Sequence, residues 1–88
     1  MASDEFYRRQ GLLLEKEQKA QHLAIKIHGM RDRIRRMTDP HRPIDEVNLS
    51  ELRVEMDAYT EAQQQRETLI REIKALREDM GLPRYESR

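Results

Sequence analysis

The sequence predicts an all-α chain: an antiparallel two-helix coiled-coil hairpin that pairs with a second copy, as a homodimer, into a four-helix bundle. Three observations carry that expectation. Apolar residues recur at seven-residue spacing on both sides of the midpoint, the run TDPHRPIDEVN at 38–48 interrupts them once, and the two flanking segments are nearly equal in length. Pro40 and Pro43 lack backbone donors and push Asp39 and Arg42 out of helical geometry, so the interruption reads as a turn. Residues 1–88 therefore read as a single helical-hairpin domain, with helix over about 4–37, turn over 38–48, helix over about 49–80 and a polar tail at 81–88.

The first helix opens at Ser3, a side chain suited to N-capping, with Asp4 and Glu5 in the first turn where negative charge complements the helix dipole. Phe6, Leu13, Ala20, Ile27 and Ile34 follow one another every seven residues, and Leu23, Met30 and Met37 fill the second seam position. Arg9 and Lys16 occupy that second position earlier on, so the coiled-coil pattern is most regular in the helix's second half. Gly11 and Gly29 each cost about 1 kcal/mol relative to alanine inside a helix. Gly11 suggests fraying or a kink, and Gly29 a tolerated glycine.

The second helix has a sharper start. Asn48 followed by Glu51 resembles a capping box, and Val47 with Leu52 a hydrophobic staple. Its seam runs through Leu52, Tyr59, Arg66, Ile73 and Met80 at one heptad position and Glu55, Ala62, Leu69 and Leu76 at the other. Gly81 is placed to take a left-handed C′ conformation, Leu82 to fold back toward Leu76 or Arg77, and Pro83 to stop the helix. The residues beyond it read as a mobile polar tail. Folding the chain at its prolines sets Ile34 beside Leu52, Ile27 beside Tyr59, Ala20 near Arg66, Leu13 beside Ile73 and Phe6 beside Met80, in a rod roughly 50 Å long.

Composition bounds the function. With 36% hydrophobic and 39% charged residues, the chain has little material for a central core of its own. Leu, Ile, Val and Phe make up 18 of 88 residues, near the range of unfolded chains, but disorder also requires a large net charge. Here 17 basic residues balance 17 acidic ones, and periodicity decides for folded helices. Neutrality also removes any global attraction to nucleic acid or anionic membrane. There is no cysteine, which excludes disulfides, thiolate metal sites and cysteine nucleophiles. The longest apolar run, at 12–14, is far below the ~20 residues of a membrane span, and a cytoplasmic protein is expected.

The span 26–42 carries Lys26, Arg31, Arg33, Arg35, Arg36 and Arg42 against Asp32 and Asp39, a net charge of +4. The span 45–61 carries six acids against Arg53, a net charge of −5, and the hairpin lays one beside the other, so mutual neutralisation is expected. Arg66, at a seam position amid the polar mid-rod residues, is expected to snorkel outward rather than to pair with Glu17. His22, His28 and His41 do not have metal-ligand spacing, and no glycine-rich phosphate loop or nucleophile with an evident base is present. No catalytic, metal or cofactor site is assigned.

What remains is surface. Tyr7, Leu12, Leu14, Ile25, Val54, Met56 and Ile70 lie beside the main seam rather than within it, and they are expected to form an outer stripe on which a second copy or another protein's amphipathic helix docks. The functional expectation is a non-enzymatic protein-interaction module: a scaffold, adaptor or small chaperone. The alternative is a small nucleic-acid-binding regulator that presents Arg31, Arg33, Arg35, Arg36 and Arg42 to phosphates from a dimeric bundle.

Overall fold

The computed structural model describes residues 3–86, and among these the architecture is all-helical: α1 (Asp4–Met37), a short 3-10 turn (Ile44–Glu46) and α2 (Leu49–Asp79). The two long helices pack against each other as a hairpin measuring 66 × 19 × 14 Å. Its radius of gyration is 18.3 Å, against about 12 Å for a compact domain of this length.

The ends of the helices are made locally. Ser3 Oγ accepts from the Phe6 amide at 3.2 Å, and Asn48 Oδ1 accepts from the Glu51 amide at 3.1 Å, so each side chain satisfies a donor that the first turn leaves free. At the bend, Thr38 Oγ1 donates to the Ile34 carbonyl at 2.8 Å, while Asp39 takes the His41 amide on its carboxylate at 2.9 Å and the Arg42 amide on its carbonyl at 3.0 Å. These bonds replace the ladder that Pro40 and Pro43 cannot continue. Gly81 closes α2 at φ 67°, with its amide donating to the Glu78 carbonyl and the Leu82 amide to the Arg77 carbonyl. Those two bonds are a complete Schellman motif.

The seam buries Leu13, Ala20 and Ile27 from α1 and Ala62 and Ile73 from α2. Leu13, Ala20 and Ile73 form one cluster, with Leu69, Leu76, Met80, Leu82 and Tyr85 packed around it. Leu13 and Ile73 thus meet as their spacing predicts, and Ile27 and Tyr59 line one groove together. The centre of packing differs from expectation, however. It sits at the open end, in the first half of α1, because the apolar second half of α2 and the residues after Gly81 supply the neighbours there.

Three further points correct the sequence reading. Leu82 folds back as expected, its amide on the Arg77 carbonyl, but the segment after Pro83 does not run free: Tyr85 packs on the core cluster beside it, and the Pro83 carbonyl accepts from Arg77 Nε at 2.7 Å. Residues 87 and 88 of that tail lie outside the described residues. Phe6, expected in the seam, is 37% exposed and meets Tyr7 edge-on, with ring centroids 6.0 Å apart. Arg66 does not pair with Glu17, as expected, and Glu17 pairs with Arg77 Nη1 at 2.7 Å; but Arg66 is half-buried, with its Nε enclosed and without a hydrogen-bond partner.

Candidate functional site

Tyr7, Leu12, Leu14, Ile25, Val54 and Met56 are all exposed, and Ile70 is half-buried. Residues seven apart share a position on a coiled-coil helix, whereas residues two apart lie on nearly opposite sides of it. That rule divides the seven between two flanks of the hairpin. One flank carries the groove formed by Ala24, His28 and Arg31 with Tyr59, Gln63 and Arg66. Tyr7 and Leu14 repeat the position of His28, and Met56 and Ile70 that of Gln63, so these four share that flank. The opposite flank carries a groove of about 580 Å³ lined by Lys19, His22, Leu23 and Lys26 of α1 and by Gln65, Thr68, Leu69 and Glu72 of α2. Leu12 repeats the position of Lys19, and Val54 that of Thr68. Ile25 stands on the back of α1, in line with Gln18 and Asp32, and joins neither group.

The exposed apolar residues are therefore two partial faces rather than one stripe. Leu49 was missed as a member. It is 73% exposed and lies one heptad before Met56, so stepping back from Met56 in sevens identifies it with the first flank. Its place directly after the Asn48 cap draws attention to helix initiation instead.

The charges follow the flanks as well. Across the seam run Lys16 to Glu72 at 2.6 Å, Arg33 to Glu55 at 2.9 Å and Arg77 to Glu17 at 2.7 Å. Between the basic span 26–42 and the acidic span 45–61, Arg33 to Glu55 is the single salt bridge among the described residues. Arg31, Arg35, Arg36 and Arg42 are exposed without an ion-pair partner among those residues. Mutual neutralisation is thus a matter of proximity more than of pairing.

Among the described residues no three His, Asp or Glu side chains converge as metal ligands, and no helix is long and apolar enough to cross a membrane. The chain matches no family model, no curated protein and no solved structure, so its own surfaces carry the functional argument.

Proposed function

We propose that the hairpin is a non-enzymatic, cytoplasmic interaction module that completes its fold by packing helix against helix, first with a second copy of itself. One observation carries this reading. The chain exposes 7439 Å², whereas a compact monomer of this size exposes about 5,500 Å². A stable interface covers roughly 800 Å² or more on each partner, so the excess is large enough to serve one on either flank. The exposed apolar residues of the two flanks supply the surface that such packing covers.

Sedimentation of the purified chain, with Leu14→Asp and Leu12→Asp beside it, tests the reading. The expected result is a dimer that one of the two substitutions returns to monomer, which also identifies the flank in use. A wild-type chain that stays a folded monomer at every concentration, and retains no helical partner, overturns it.

A second reading has one observation in its favour: four of the five arginines named for phosphate contact lack an ion-pair partner among the described residues. Nucleic-acid binding through Arg31, Arg33, Arg35, Arg36 and Arg42 predicts an affinity that falls steeply with salt. Absence of RNA or DNA binding at low ionic strength removes that reading.

A further inference from the structure

The flank that carries Leu12 and Val54 has a charge pattern the other flank lacks. Along α1, stepping through this flank meets Lys19, Lys26, Arg33 and Arg36, with Arg8 before them and two acids, Glu5 and Glu15. Along α2, the same flank meets Glu51, Glu61, Glu72 and Asp79 and no base at all. Between the two ridges lies the groove floored by Leu23 and Leu69. The opposite flank mixes signs on both helices, with Arg31 and Glu17 on α1 and Lys74 and Glu67 on α2.

Within one hairpin the ridges are only partly satisfied. Lys16 to Glu72 and Arg33 to Glu55 close across the seam, and Lys26, Arg36, Glu51, Glu61 and Asp79 have no ion-pair partner among the described residues. The two closed pairs also set the levels of the helices to within about one turn. Counting from Arg33 and Glu55, seven residues back on α1 and seven on along α2 bring Lys26 to the level of Ala62, one residue from Glu61. Three residues the other way bring Arg36 to the level of Leu52, one residue from Glu51.

From this we infer that the second copy lies on the Leu12 and Val54 flank, parallel to the first, with the proline turns at the same end. This rests on the self-pairing reading and adds which surface is used and in what orientation. Two hairpins stacked face to face have two symmetric choices. A two-fold axis across the rod sets α1 on α1 and α2 on α2, so base meets base and acid meets acid. An axis along the rod sets α1 over the partner copy's α2 at equal height, so Lys26 faces a Glu61 and Arg36 a Glu51, around apolar floors built by Leu23 and Leu69. Like charges juxtaposed across an interface oppose association and opposite ones select partner and orientation. The pattern therefore selects the axis along the rod.

Charge reversal with a distance measurement tests this on the intact chain. Lys26→Glu and Glu61→Lys are both exposed changes, and each is expected to weaken the dimer about tenfold at low ionic strength, with the double reversal restoring it. Because the chain has no cysteine, His41→Cys gives a single spin-label position at the turn in an otherwise unaltered protein. Parallel copies hold the two labels within about 30 Å, given helix axes 8–10 Å apart, whereas antiparallel copies separate them by nearly the 66 Å length of the rod. A dimer indifferent to both reversals, or one with widely separated labels, overturns this inference and leaves self-pairing standing. A chain that is monomeric throughout overturns both.

Discussion

Gly11 and Gly29 stand in open space: a Cβ built on either finds no atom within 4 Å. Replacing either by alanine is expected to stabilise the helix by about 1 kcal/mol, since only backbone freedom is being removed. Gly81, at φ 67°, should respond oppositely, with Gly81→Ala costing about 1 kcal/mol for a side chain held in the left-handed region. Thermal melts at fixed protein concentration check all three. Ile73 is 0% exposed, and Ile73→Ala is expected to cost about 3 kcal/mol and to lower Tm by roughly 15 °C. At Arg66 the expectation reverses: its enclosed Nε has no partner, so Arg66→Met should raise Tm, because a desolvated donor is exchanged for apolar volume. At this scale the sequence shows which apolar residues stand outside the seam, since periodicity alone exposes Tyr7, Leu12, Leu14, Ile25, Val54 and Met56. It does not show where Arg66 comes to rest. That depends on how the two helices pack around it, which no single-helix pattern contains.

The caps are the most legible features among the elements. Ser3, Asn48 and Gly81 act through bonds spanning only a few residues, so short-range sequence is enough to name them. The docked tail beyond Leu82 is the least legible, because Pro83 ends the helical pattern and the packing of Tyr85 is decided by α1 and α2 together. Arg77 ties these pieces into one unit: Nη1 bonds Glu17 on α1, Nε bonds the Pro83 carbonyl, and the guanidinium lies 6.0 Å from the Tyr85 ring centre. A lysine has one ammonium where arginine has a planar fork, so Arg77→Lys keeps the charge but loses the double attachment. The expected cost is about 1–2 kcal/mol, discounted for partial exposure. Faster proteolysis at Tyr85 in that variant, compared with wild type, is the measurement that checks it.

At the scale of the whole molecule, the hairpin's proportions decide its behaviour. Two helices bury one stripe each, and the resulting rod keeps far more surface wet than a compact domain does. If a second copy covers one flank, the melting temperature rises with protein concentration, because association stabilises only the folded chain; a Tm independent of concentration over a hundredfold range contradicts self-pairing. Heptad spacing reveals that spare apolar surface exists. Its division between two flanks follows from the same spacing once Leu12 and Leu14 are assigned to opposite sides of α1, whereas which residues of the two helices stand at one level depends on how the helices pack.

The uneven core has a consequence for how the rod opens. No residue between Ile27 and the bend is buried, while Leu13, Ala20 and Ile73 hold the other pole together with the returning tail. Thermal fluctuation should therefore unzip the hairpin from its covalent hinge outward, the reverse of a hairpin clamped at its loop. Amide exchange in deuterated water would display the gradient, with protons around Ile34 and Leu52 lost well before those around Ala20 and Ile73.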